Sequence, residues 1–165
     1  MKRNGKRWTE GFLVTVGLSL ICLSQVLAQG TRGSDIAVVV NPDTPIAELS
    51  LADVRAVFLG DRQYWTAKMP VVLLIRAPAA RERDVVLKII YEMTDTQFKR
   101  YWIAKIFRAE SATAPKTVYS SGMTHELVTA IPGAIAFMES REVRPPLKVV
   151  RVDGRLPGEA GYPLR

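Results

Sequence analysis

The chain has 165 residues, 23 Lys and Arg against 16 Asp and Glu, a formal net charge of +7 and one cysteine. A single cysteine excludes an internal disulfide framework, so the fold has to hold through packing alone. The bases are interleaved with acids (Arg81-Glu82-Arg83-Asp84, Glu139 to Glu142) and form no stripe, which argues against a nucleic-acid partner despite the positive total.

The first residues have the pattern of an export signal. Lys2, Arg3, Lys6 and Arg7 face only Glu10, an uncharged run extends from Phe12 to Leu23, and Val26-Leu27-Ala28 supplies the residues of a cleavage site. Cleavage after Ala28 assigns 1–28 to a signal peptide and predicts a periplasmic or secreted protein. The competing reading is an uncleaved anchor, but Phe12 to Ala28 is about 17 residues, short of the roughly 20 that a spanning helix needs. No stable membrane span is expected after cleavage. Cys22 lies inside this run behind the bulky Ile21, which speaks against lipid attachment and leaves the mature chain without a thiol.

Residues 29–35 are a polar, Gly-containing lead, expected to be mobile. Ile36 to Val40 is an unbroken apolar run, the pattern of a strand buried on both faces. Asn41-Pro42-Asp43-Thr44-Pro45 turns the chain. Ser50 and Asp53 predict a helix start. Leu51, Val54, Val57 and Phe58 follow at helical spacing, and Gly60 is set to end the helix in a left-handed conformation. Asp61 to Met69, with Tyr64 and Trp65, reads as a loop, and Val71 to Ile75 as a second buried strand.

After Arg76-Ala77-Pro78-Ala79 a second helix carries Val85, Val86, Ile89, Ile90 and Met93 as its core stripe. Thr94 and Gln97 predict a capping box for a third helix, with Phe98, Tyr101, Trp102 and Ile106 along one face. Thr117 to Tyr119 is a short strand. Ser121 opens a fourth helix with Met123, Leu127, Val128 and Ile131 inward, and Pro132-Gly133 stops it. Ala134 to Met138 and Leu147 to Val152 are further strands. Helices alternating with strands predict an α/β domain over 36–155, its mostly parallel sheet covered by helices on both faces, followed by a Pro/Gly-rich C-terminal tail at 156–165.

The pattern assembles no nucleophile, base and orienter, so an enzyme is not expected. His125, the one histidine, has no metal-ligand spacing or nucleophile elbow around it and reads as a surface residue. Ser120-Ser121-Gly122 reads as a helix cap, and there is no glycine-rich phosphate loop. No catalytic residue, metal ligand or cofactor is expected. Glu82 and Asp84, set among arginines, read as a solvated helix face. Trp102 belongs to a core stripe, whereas Trp65 is open to a core or a ligand role.

One place has the logic of an anion site. Arg76 ends a buried strand and the chain turns into a helix starting near Ala80. Ligands of open α/β folds sit at the carboxyl edge of the sheet, and a helix start offers free amides and the positive end of its dipole. Arg76 and Arg81 could add bidentate contacts. The candidate oxyanion-binding residues are therefore Arg76, Ala80 and Arg81, the competing reading being an ordinary strand-to-helix turn with solvated arginines.

An ordered set of segments carries a resemblance. Val38-Val39-Val40-Asn41-Pro42, then Leu51 to Gly60 with Trp65 beyond, then Val71 to Arg76, then Pro132-Gly133-Ala134-Ile135-Ala136-Phe137 resemble the phosphate-binding proteins of phosphate ABC transporters, from about Ile36 to Val152. The resemblance implies one lobe of a type II periplasmic-binding-protein fold. It also implies phosphate or another small oxyanion as ligand, and an ABC permease or another envelope protein as partner. Family members have two lobes and trap phosphate between them, whereas this chain has length for one lobe and the crossing strands. Where the family's ligand loop carries Ser-Gly-Thr, this chain has Ala80-Arg81-Glu82, so Arg76 alone carries over and Glu82 sets a carboxylate where the dianion would sit. Two like charges about 4 Å apart repel by roughly 4 kcal/mol at an effective dielectric of about 20. Micromolar binding amounts to only about −8 kcal/mol. The expected function is a solute-binding-type domain with an altered oxyanion site. The alternative is an envelope interaction or sensory module that keeps the scaffold without binding phosphate.

Overall fold

The computed structural model describes residues 34–165; the signal peptide expected at 1–28 and all but the last two residues of the lead expected at 29–35 lie outside the described residues. In chain order the elements are β1 (Ile36–Val40), β2 (Glu48–Leu49), α1 (Leu51–Phe58), β3 (Tyr64–Thr66), β4 (Met69–Pro70), β5 (Val72–Arg76) and α2 (Arg81–Val86), which runs on as a π-helical turn at Leu87–Tyr91. There follow α3 (Asp95–Phe107), β6 (Lys116–Val118), α4 (Ser121–Ala130), β7 (Ala134–Glu139) and β8 (Lys148–Val152). Six strands form one sheet in the order β2-β8-β1-β7-β5-β6. β2·β8, β5·β6 and β5·β7 pair in parallel, while β1 runs antiparallel to both β7 and β8. Five strands thus point one way, and the expected mostly parallel α/β sheet is present with β1 as its one reversed member.

Every residue of β1 is buried. Side chains of a strand alternate between faces, so Ile36, Val38 and Val40 enter the larger core beneath α1, α2 and α3, while Ala37 and Val39 enter the smaller core beneath α4. This is why β1 shows no polar alternation: neither face meets water. Asn41 closes the strand. Its buried Nδ2 donates to the carbonyls of Val128 and Thr129 at 3.0 and 2.9 Å, holding the last turn of α4, and its Oδ1 accepts from the Asp43 amide.

α1 begins with the expected capping box, worth about 1 kcal/mol: Ser50 Oγ accepts from the Asp53 amide, and the Asp53 carboxylate accepts from the Ser50 amide. It buries Val54, Val57 and Phe58, whose ring lies 4.2 Å from that of Phe137. Gly60 ends the helix at φ 73°, and a Cβ there would stand 2.8 Å from the Trp102 ring.

The expected loop at Asp61 to Met69 is instead a hairpin, β3 against β4. Burial of Trp65 and its Nε1 bond to the Gly133 carbonyl at 2.9 Å anchor the hairpin to the turn before β7. In the second helix the widened turn at Leu87–Tyr91 brings Leu87 and Tyr91 into the core with Val86 and Ile90, whereas Val85, Ile89 and Met93 only flank it. A π-turn spreads the chain over more residues per revolution, so a stripe spaced for an α-helix is shifted.

α3 has its predicted Thr94–Gln97 box and buries Phe98 and Trp102. Ile106, expected inward, is exposed, and Lys105 takes the inner position one residue earlier. Its ammonium donates to the Leu59 carbonyl at 2.8 Å and to Asp61 at 2.6 Å, and lies 3.1 Å from the Tyr101 hydroxyl. Burial works against that charge, but these partners outweigh it and hold the lysine above its ordinary range. α4 buries Thr124 and Val128, with Met123, Leu127 and Ile131 at the margin. The segment after Leu156 is packed: Tyr162 and Leu164 are buried, the Leu164 carbonyl accepts from the Ile36 amide, and the Tyr162 hydroxyl donates to the Ile36 carbonyl. Among the described residues no helix is long and apolar enough to cross a membrane.

Candidate functional site

The carboxyl ends of β5 and β7 lie side by side, next to the amino end of β1, and the charged residues gather there. Arg76 is the last residue of β5. The chain leaves it through Ala77 to Ala80, with Ala79 in the left-handed region at φ 69°, and enters α2 at Arg81. Ala80 is the extended residue before the helix, with no side-chain cap, and its amide donates to the Ala77 carbonyl at 3.3 Å.

Arg76 and Arg81 each meet a different carboxylate, Glu82 and Glu139. Arg76 Nε lies 3.3 Å from Glu82 Oε1, with side-chain exposures of 13% and 7%. The contact is charge against charge, because Arg76 Nε and Nη1 are buried without a hydrogen-bond acceptor among the described residues. Arg81 donates to the Ser34 carbonyl at 2.7 Å and stands 3.5 Å from Glu139 Oε1. Glu139 also accepts from Ser34 Oγ at 2.8 Å and pairs with Arg141 at 2.8 Å. Burial pushes the Glu139 carboxyl upward, but the Ser34 hydroxyl and the Arg141 and Arg81 guanidinium groups prevail and hold it below the usual range.

Glu82 does not lie on the solvated helix face expected of it. It is buried, as is Arg83, because the first turn of α2 rests against the sheet end; Asp84 alone of that run is exposed. Arg83 braces the turn, donating to the Arg76 carbonyl at 2.8 Å and pairing with Asp95 at 2.6 Å, with its guanidinium over the Phe98 ring. The Lys99 and Arg83 bonds to Asp95 lower its carboxyl below the ordinary range.

The remaining candidates fall elsewhere. Trp65 and Trp102 are both core residues. His125 Nε2 lies 3.1 Å from the Pro145 carbonyl at the surface. Among the described residues no cluster of His, Cys, Asp and Glu could hold a metal ion. A cavity of about 290 Å³ opens at the opposite, amino-terminal end of β5, lined by Gly60, Tyr64, Val71, Trp102 and Pro115 among others, and Arg76 and Glu82 are not part of it.

No protein-family model and no curated protein sequence matches the chain. Solved structures do. A protein assigned as a phosphate ABC transporter substrate-binding protein from Clostridium perfringens, with bound phosphate, superposes with a TM-score of 0.60 at 20% identity, over 74% of this chain and 46% of that one. The fold is periplasmic-binding-protein-like. An ABC-type phosphate transport receptor from Vibrio cholerae matches with a TM-score of 0.60 at 16% identity, over 75% of this chain and 48% of that one. PstS from Borrelia burgdorferi matches at 0.57 and 13%, over 75% and 49%. The chain spans about half the length of the structures it matches. At such identities the likeness is one of fold.

Sequence reasoning missed the parts played by Glu139, Ser34, Arg83 and Asp95. A signal was available for Glu139, which directly follows the apolar run of β7 and so falls at the same sheet edge as Arg76. For Ser34 and Asp95 there was none, since only the tertiary fold brings them to Glu139 and Arg83.

Proposed function

We propose that this chain is an exported solute-binding-protein-type domain whose oxyanion position is held by its own Glu82, and that it serves the cell envelope by recognising another protein instead of capturing phosphate. The observation that carries this reading is the buried Arg76–Glu82 contact. In the resemblance the strand-ending arginine is the one ligand residue that carries over, and here its charge is already met from within. A phosphate dianion approaching Arg76 would have to displace a buried carboxylate or lie against it, and like charges in such a setting repel strongly. Arg81, spent on Ser34 and Glu139, is a poor second clamp. That the solved structures with this fold are binding proteins is in keeping with a non-enzymatic role.

A second reading, weak oxyanion binding, is favoured by one observation: Arg76 Nε and Nη1 lack hydrogen-bond acceptors among the described residues. In that case Arg76, Arg81 and the amides near Ala80 would be the ligand residues, and a permease the partner. Calorimetric titration with phosphate and sulfate separates the two. The first reading expects no saturable heat up to millimolar anion; saturable binding within that range that Arg76→Ala removes would establish the second.

A further inference from the structure

On its β6 side, β5 has no strand partner until Leu74, which faces Lys116. Val71, Val72 and Leu73 precede that point and stay half-buried, although Leu74 and Ile75 beyond them are buried. The cavity of about 290 Å³ accounts for this exposure, because Val71 and Leu73 line it together with Ser111 to Pro115, the segment leading into β6. Gln63 pins the rim. Its Nε2 donates to the Gly60 carbonyl at 3.2 Å and the Glu110 carbonyl at 2.7 Å, and its own carbonyl accepts from the Val71 amide at 2.9 Å. The end of α1, the hairpin and the chain after α3 are thereby tied around one opening, in the manner of a preformed ligand site.

Two properties of the lining select an occupant. The first is aromatic. Trp102 turns the six-membered end of its indole towards Gly60, another lining residue, and a ring edge packs well against the face of a second ring. Tyr64 also lines the cavity and is 58% exposed, an aromatic side chain the core does not use. A dry cavity of about 150 Å³ takes up benzene. About 290 Å³ therefore suits a body of two fused rings. The second property is charge. Arg62 and Lys116 are the charged residues of the lining, and no Asp or Glu is among the described residues there. Neither cation is ion-paired with a carboxylate among the described residues. The Arg62 guanidinium is placed by the Trp65 ring, whose centroid lies 5.3 Å away. A guanidinium and an ammonium beside an apolar cavity offer charge-assisted hydrogen bonds to a carboxylate.

We propose that this cavity binds a small aromatic carboxylate, its ring beside Trp102 and its carboxylate towards Arg62 and Lys116. The site goes beyond the protein-recognition reading and lies at the far end of β5 from Arg76 and Glu82, so each stands if the other fails.

Titration with 2-naphthoate of the protein purified from cells expressing the full chain, followed by methyl resonances, tests it. Those of Val57, Val71 and Leu73 should shift and saturate, while those of Ile103 and Ile106 on the exposed face of α3 stay still. The neutral 2-naphthamide should bind at least about tenfold more weakly, because it forfeits the charge-assisted bonds. In the double variant Arg62→Gln, Lys116→Gln the acid should lose that advantage. The amide should bind the double variant as it binds the wild type, which shows that the cavity is intact. No saturation into the millimolar range, or equal affinity of acid and amide in the wild-type protein, would overturn the proposal. So would an acid preference that survives the loss of both cations, or saturating shifts confined to α3.

Discussion

Glu82 Oε1 stands 3.3 Å from Arg76 Nε, with both side chains withdrawn from water where β5 gives way to α2. Taking charges out of water is costly, and the cost is offset only while both are present. Arg76→Met or Glu82→Leu alone should each lose about 3–5 kcal/mol, because each leaves one buried charge unanswered. The double variant should lose less than either single one. Urea denaturation of the four proteins gives the coupling directly; additive losses would mean that the pair does not act as a unit.

Gly133 and Gly158 both have positive φ, 78° and 92°, but in different surroundings. A Cβ at Gly133 would lie 2.1 Å from the Pro70 carbonyl oxygen, whereas at Gly158 it meets nothing within 4 Å. Gly158→Ala should cost only the left-handed strain, about 1 kcal/mol. Gly133→Ala has to push the β3–β4 hairpin from the sheet and should cost about 3 kcal/mol or more. Equal midpoints for the two variants in thermal unfolding would contradict this account of the hairpin.

Glu139 links the sheet edge to pH. Its folded carboxyl sits below the ordinary 4.5, so the stabilisation it carries is present above that value and is lost as pH falls through the lower, folded one. Asp95, lowered by Lys99 and Arg83, acts in the same direction. The unfolding midpoint should therefore fall on acidification below about pH 4.5, and Glu139→Gln should flatten that fall. An unchanged acid profile in the variant would show that Ser34, Arg81 and Arg141 do not stabilise the ionised form.

Much of the fold was legible because its signals are local. The apolar runs of β1 and β7 and the capping boxes at Ser50 and Thr94 depend on neighbours in the chain and stand where the sequence places them. Lys105 and the π-turn at Leu87–Tyr91 were not legible: a lysine goes inside only because Asp61, Leu59 and Tyr101 arrive from elsewhere, and periodicity assumes an even helix. At the candidate site the sequence located Arg76 and the turn at Ala80, but it set Glu82 on the outside. Charge composition tells nothing of which member of Arg81-Glu82-Arg83-Asp84 faces the sheet; the angle at which α2 meets the end of β5 decides it.

In the proposed function, Glu82 occupies the position an external anion would take beside Arg76. The most direct test follows the Arg76 Nε–Hε resonance while phosphate is added to the wild-type protein and to Glu82→Gln. The wild-type signal should stay still into millimolar phosphate, and the variant signal should shift and saturate. A wild-type resonance that moves and saturates at micromolar phosphate would contradict it.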